Sequence, residues 1–147
     1  MTDSREYPPR PIPGVGVVVR KDNQVLLIRR GNPPRRGEWS IPGGAVELGE
    51  TWRESAVREV REECGVEIEL GEIIDAIDIL YRDDGGCPQY HYAIVDFAGT
   101  YVGGDVRAGS DVLEARWVSI DELETFEIAA TARDVILKSL VRENGNR

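Results

Sequence analysis

Three glutamates, Glu59, Glu62 and Glu63, recur at i, i+3 and i+4 within the stretch Gly44–Val66, GAVELGETWRESAVREVREECGV. On a helix that spacing places them on one face, where like charges cost roughly 0.2–0.5 kcal/mol per pair. A hard divalent cation relieves such crowding, because carboxylate oxygens are the ligands that Mg2+ and Mn2+ prefer. A solvated acidic face is the plainer alternative, and for a lone Glu-Glu pair it would be the better one. What precedes the helix shifts the balance. Trp39-Ser40-Ile41-Pro42-Gly43-Gly44 is a short apolar run broken by Pro and two Gly, as expected of a strand end entering a sharply turning loop. A glycine carbonyl in such a loop meets a metal with no side chain in the way. Glu47 and Glu50 add carboxylates at the helix mouth, and the Arg58 guanidinium is placed to hold Glu50 or Glu54 in a bidentate pair. Oxygen ligands on a rigid helix suit metal-assisted hydrolysis of a phosphoanhydride, in which the cation neutralises pyrophosphate and lowers the pKa of the attacking water.

The helix that must position these groups has clear local signals. Thr51 and Glu54 form a capping box, and Gly65 after Cys64 is a left-handed stop. Ala56, Val57, Val60 and Cys64 share the apolar face between them.

Gly44, then Glu50 after five residues, then Arg58-Glu59-Val60-Arg61-Glu62-Glu63-Cys64-Gly65-Val66 after seven more, resembles the Nudix hydrolase signature at each of its nine specified positions. The resemblance implies an α/β fold, a sandwich of helices around a mixed β-sheet, over nearly all of the chain. It implies substrates that are nucleoside diphosphates linked to another moiety, cleaved to a nucleotide and a phosphorylated remainder. Carried onto this chain, Glu59, Glu62 and Glu63 with the Gly44 carbonyl are the ligands of Mg2+, for which Mn2+ can substitute. Glu50 acts through water or through Arg58, and Arg58 orients without ligating. The general base is either Glu59 or a carboxylate from a later loop, here Asp111 or Glu114. Family members specific for ADP-ribose often carry a Pro some fifteen residues past the signature, where this chain has Leu80-Tyr81-Arg82 and its nearest Pro is Pro88. Tyr81 stands near a position occupied by Tyr in dinucleoside-polyphosphate members. The overall run from Pro13 through Trp117-Val118-Ser119-Ile120-Asp121-Glu122-Leu123 is similar to that of small bacterial members of the ADP-ribose pyrophosphatase type. ADP-ribose or a similar nucleotide sugar is therefore the expected substrate, with a nucleoside triphosphate or a dinucleoside polyphosphate as the alternative. Two other classes, a nucleotide sensor without chemistry and an RNA-decapping enzyme, are disfavoured by the intact signature and the scarcity of basic residues.

The 147 residues carry 27 acidic against 18 basic side chains, for a net charge of −9. That balance argues against a nucleic-acid partner and requires metal and local arginine to offset repulsion from an anionic substrate. Hydrophobic content of 41% and charged content of 31% suit a single globular domain over 1–147. Two cysteines in unrelated contexts suggest a reducing cytoplasm, and no run reaches the roughly 18 apolar residues of a membrane span.

Along the chain, residues 1–13 are a Pro-rich arm, which in a homodimer would be free to swap. Gly14–Arg20 and Val25–Arg30 predict a hairpin. In Gly31–Gly37, Arg35 and Arg36 are candidates for pyrophosphate contact, weighed evenly against an ordinary solvated loop. Trp39 is expected to pack. Val66–Leu70 predicts a short strand, and Ile73–Tyr81 and Tyr90–Ala98 two longer ones covered on both faces. His91, the only histidine, is far more often structural in such a strand than catalytic. Tyr81 and Tyr90 are candidates for stacking on a base, with cross-strand packing as the default. Gly99–Asp111 is expected to be a mobile loop and Ala115–Val118 a strand. Ser119 with Glu122 predicts a second capping box, Ile128–Leu140 an amphipathic helix, and 142–147 a frayed tail.

Overall fold

Runs of β-branched residues make the strands, and the shortest turns decide how they join. The computed structural model describes residues 5–145. Strands β1 (Ile12–Lys21) and β2 (Gln24–Arg30) form the expected hairpin. It turns at Asp22-Asn23, with Asp22 at φ 54°, a left-handed conformation that Asp tolerates. Short strands β3 (Trp39–Ser40) and β4 (Gly43–Ala45) lead into helix α1 (Trp52–Cys64). Strands β5 (Glu67–Arg82), β6 (Pro88–Gly103) and β7 (Val112–Ser119), a 3-10 helix (Ile120–Thr125) and helix α2 (Ala130–Gly145) complete the order. The sheet runs β3-β2-β1-β6-β5, with β4 added on β1 and β7 on β2. Among the named strands of the described residues, only β1 and β6 pair in parallel, from Ile12↔Tyr92 to Arg20↔Thr100. The result is the α/β/α sandwich around a mixed sheet.

Side-chain alternation sorts the core into two layers. Val15, Val17 and Val19 of β1 face α1 and meet Ala56, Val60 and Cys64. Val18 faces the other way, with Val135 and Ile136 of α2. Trp39 packs edge-on against Phe126, ring centroids 5.2 Å apart.

Several local expectations change. The strands expected at Val66–Leu70 and Ile73–Tyr81 merge into one sixteen-residue strand that begins at Glu67, whose register shifts at Leu70/Ile73 mark bulges and not an end. Its far half is not covered on both faces, since Ile73 is 50% and Leu80 40% exposed. Gly99–Gly103 belong to β6, and the following loop is pinned to the end of α1. There Arg107 N–H donates to the Cys64 carbonyl (2.9 Å) and Gly109 N–H to that of Glu63 (2.8 Å). Ser119 makes no side-chain cap, because a tight 3-10 turn follows it and not an α-helix. Helix α2 continues through Gly145, so the frayed tail is helical that far, and 146–147 lie outside the described residues. In the arm, Tyr7 N–H donates to the Gln89 carbonyl (2.7 Å) and Tyr7 OH to Asp83 (2.9 Å); residues 1–4 lie outside the described residues.

One buried group is a cost to the fold. Asp96, 2% exposed in β6, sits opposite Gly16 of β1, where an added Cβ would collide with its carboxylate. Its Oδ2 has no hydrogen-bond partner among the described residues. Burial, reinforced by nearby Asp75, pushes this carboxyl from the ordinary 3.8 up to about 6, against the pull of Lys138. An acid raised on folding penalises the folded state where it is ionised, and the penalty fades as pH falls through 6 toward 3.8. Asp96→Asn is therefore expected to stabilise the protein above pH 7 by roughly 2–3 kcal/mol. The gap between the two thermal denaturation curves should close by about pH 4; a gap independent of pH contradicts this account.

Candidate active site

Helix α1 presents its carboxylates because both ends are fixed. Glu54 N–H donates to Thr51 Oγ1 (3.1 Å) while Thr51 N–H donates to Glu54 Oε1 (3.0 Å), the reciprocal capping box. Gly65 takes φ 72° and donates its N–H to the Arg61 carbonyl, closing the last turn. Burial of Ser55, Ala56, Val60 and Cys64 sets the rotation of the helix on the sheet. Glu59 and Glu63 consequently face the β4 loop, while the Glu62 side chain stays 51% exposed.

Strand β4 is held flush against β1 through Gly14↔Ala45, Val15↔Gly44 and Gly16↔Gly43. Gly43 N–H donates to Glu63 Oε1 at 2.8 Å. A Cβ on Gly44 would lie 2.5–2.6 Å from the Glu59 carboxylate, so only glycine lets that carboxylate rest on the loop.

Arg58 ties the cluster together. It grips Glu50 in a fork, Nε to Oε2 at 2.6 Å and Nη2 to Oε1 at 2.9 Å. Its Nη1 donates to Glu59 Oε1 (2.9 Å) and Glu62 Oε2 (3.0 Å) and lies 3.6 Å from Glu47. Its Nη2 also donates to the Ala45 carbonyl at 3.2 Å. Of the two partners open to Arg58 on sequence grounds, the structure takes Glu50, because Glu54 is occupied in the capping box.

These contacts pull the carboxyls apart in acidity. The Arg58 fork holds Glu50 down at about 2. Burial raises Glu59 despite Arg58, and burial pushes Glu63 up to about 8 although the Gly43 N–H opposes it. Arg30 and Asp111 also act on Glu63, the first lowering and the second raising it. Asp111 thus stands on the α1 side near the acidic cluster, its carbonyl accepting the Gly31 N–H (3.0 Å). Glu114 does not join them. It shares a strand face with Val118, which packs toward α2, whereas Ala115 and Trp117 pack toward α1. It pairs only weakly with Arg116, at 3.8 Å. Of the two later carboxylates expected as a base, Glu114 thus lies on the strand face away from Glu63, and Asp111 on the near side.

Arg35 and Tyr81 come together across 46 residues: Arg35 Nε donates to the Tyr81 hydroxyl at 2.9 Å, with the guanidinium 5.6 Å from the ring centre. Arg36 Nε donates to the Gly31 carbonyl at 3.1 Å. Sequence reasoning missed Arg30 and the Gly43 N–H; the Arg29-Arg30 pair that ends β2 was the signal for the first. Among the described residues no three acidic, histidine or cysteine side chains converge into a ready-made metal cage. The glutamates instead engage separate donors, Glu59 and Glu62 on Arg58 and Glu63 on Gly43.

The family model for the NUDIX domain matches residues 10–139. The chain belongs to the Nudix hydrolase family. It is 34% identical over 136 residues to the ADP-ribose pyrophosphatase of Methanocaldococcus jannaschii, covering 92% of this chain and 76% of that one. It is 34% identical over 141 residues to the NAD-capped RNA hydrolase NudC of Pseudomonas aeruginosa, covering 93% of this chain but only 47% of that protein. The crystal structure of a MutT protein from Methanosarcina mazei Go1 superposes with a TM-score of 0.73 at 29% identity, over 92% of this chain and 97% of that one. In this Nudix hydrolase, Gly44–Val66 is the Nudix box, and its Arg58 joins Glu50, Glu59 and Glu62 into one charged unit.

An acid lowered on folding stabilises above its unfolded pKa, and that stability is lost as pH falls through the folded value. Glu50→Gln is therefore expected to cost roughly 1.5–3 kcal/mol at pH 7. The difference from wild type should shrink from pH 4.5 toward 2 in urea denaturation; an unchanged midpoint at pH 7 would refute the role given to the fork.

Proposed function

We propose that this Nudix hydrolase cleaves the pyrophosphate of ADP-ribose or a similar nucleotide sugar with the help of Mg2+. The observation that carries the reading is the seating of the Glu59 and Glu63 carboxylates on the Gly43–Gly44 loop, with Arg58 beside them. The donor set fits a hard divalent cation, because it consists of oxygens: Glu59, Glu62, Glu63 and the Gly44 carbonyl. Bound there, the cation would neutralise pyrophosphate charge and make water a better nucleophile. The relative named an ADP-ribose pyrophosphatase supports the substrate class.

The chain's own groups have separable tasks in this reading. Arg58, locked on Glu50, orients Glu59 and Glu62. Glu59 accepts the proton of the attacking water, and Asp111 is the second candidate for that role. Water oxygen bonds to one phosphorus, the bridging P–O bond breaks, and AMP and ribose 5-phosphate leave. Arg35, Arg36 and Tyr81 contribute substrate contacts from the loop before β3 and the end of β5.

With Mg2+, purified protein is expected to convert ADP-ribose to those two products. Glu63→Gln should lower kcat by about 100-fold or more while AMP binds within about threefold of wild type. If wild type leaves ADP-ribose, nucleotide sugars, dinucleoside polyphosphates and oxidised dNTPs all uncleaved, the proposal fails.

A further inference from the structure

The loop Gly31–Glu38 is stitched in place by four arginines, each held through its Nε. Arg29 Nε donates to the Gly37 carbonyl (3.0 Å), Arg30 Nε to that of Pro34 (2.9 Å), and Arg36 Nε to that of Gly31 (3.1 Å). Arg35 Nε is held by the Tyr81 hydroxyl. A guanidinium carries five N–H donors, so Arg29 and Arg36 each keep the two-nitrogen edge that matches a phosphate, and Arg35 keeps Nη2 while its Nη1 holds Glu38. Three of the four, Arg29, Arg35 and Arg36, line one cavity of about 480 Å3 with Gly37, Glu38, Glu127 and Ile128. In a chain with 27 acidic residues, neither Arg29 nor Arg36 forms an ion pair with another described residue. Glu38 is already engaged by Arg35 at 3.3 Å.

The cavity is not on the catalytic side of β2. Ile28 packs toward α1 and Leu27 toward α2, so strand parity carries Arg30 to the Glu63 side and Arg29 to the α2 side. A phosphate held by Arg29 is therefore not one of the pair being cleaved.

We infer that Arg29, Arg35 and Arg36 form a subsite for a phosphate group separate from the scissile pyrophosphate. Its Nε tethers pre-organise the guanidiniums, so little side-chain freedom is lost on binding. The phosphate is either a monoester on the distal part of the substrate or a free phosphorylated effector. The first source rests on the pyrophosphatase reading, whereas the binding itself does not.

The test has two arms. In metal-free buffer with EDTA, inorganic phosphate is titrated while arginine Nε–H resonances are followed by NMR. Saturable shifts at Arg29, Arg35 and Arg36 are expected, abolished by Arg29→Gln and by Arg36→Gln and unchanged by Arg53→Gln. Shifts that grow linearly, or that match those from an equal ionic strength of chloride, overturn the subsite. Wild type alone decides this, so poor folding of a variant does not rescue the idea. In the second arm, turnover of ADP-ribose and of its 2′-phosphorylated form is compared with Mg2+. A KM lower by about tenfold for the phosphorylated form, lost in Arg29→Gln, assigns the phosphate to the substrate. A several-fold response of ADP-ribose turnover to inorganic phosphate, absent from Arg29→Gln, assigns it to an effector. Saturable binding that moves neither comparison overturns a functional subsite. Failure to hydrolyse either compound counts against the proposed activity and leaves the binding result to judge the subsite.

Discussion

A single guanidinium makes the acidic cluster possible. Glu50, Glu59 and Glu62 all accept hydrogen bonds from Arg58, and Glu47 lies within ion-pair distance. Packed this closely without a cation among them, four carboxylates would repel one another and drive the start of α1 away from the β4 loop. A lysine cannot replace the fork, because an ammonium offers a point charge where Arg58 offers two parallel donors to Glu50 and a third nitrogen edge to Glu59 and Glu62. Arg58 itself is anchored to backbone through the Ala45 carbonyl, so the cluster is registered to the loop and not only to the helix.

The rest of the fold serves that registration. Gly43, whose added Cβ would meet the Val15 carbonyl, and Gly14, whose Cβ would crowd the Gly44 carbonyl, let β4 lie flat against β1, and Gly44 leaves the space that the Glu59 carboxylate occupies. The buried face of α1 fixes which glutamates look inward. At the other end, the loop after β6 is clamped to the Cys64 and Glu63 carbonyls, which brings Asp111 to the same side as Glu63. Rigid backbone on three sides leaves the acidity of each carboxyl to its immediate neighbours. The fork holds Glu50 down, while burial holds Glu59 and Glu63 up.

What was legible in the sequence is what local spacing controls. The Thr51–Glu54 box, the Gly65 stop and the stripe of Ala56, Val60 and Cys64 concern residues three or four apart, so they set the helix without knowledge of its surroundings. Parity and pairing were not legible. Glu114 and Arg30 lie on opposite faces because of strand register, which one residue of slip would reverse. Gly71-Glu72 looks like a strand end, yet β6 runs past it and holds β5 continuous across a bulge. The glycines of 99–109 suggest mobility, but two backbone hydrogen bonds to α1 decide otherwise. The meeting of Arg35 with Tyr81 depends on tertiary structure alone.

Under the proposed function, the carboxylates seated on the Gly43–Gly44 loop hold a cation and are not an internally satisfied salt-bridge network. The most direct measurement is anomalous diffraction from crystals of the wild-type protein soaked in manganese. A peak bounded by Glu59, Glu63 and the Gly44 carbonyl, with the Arg58–Glu50 fork intact beside it, is the predicted result. Manganese bound elsewhere, or no peak while Arg58 keeps Glu59 and Glu62, would contradict the account.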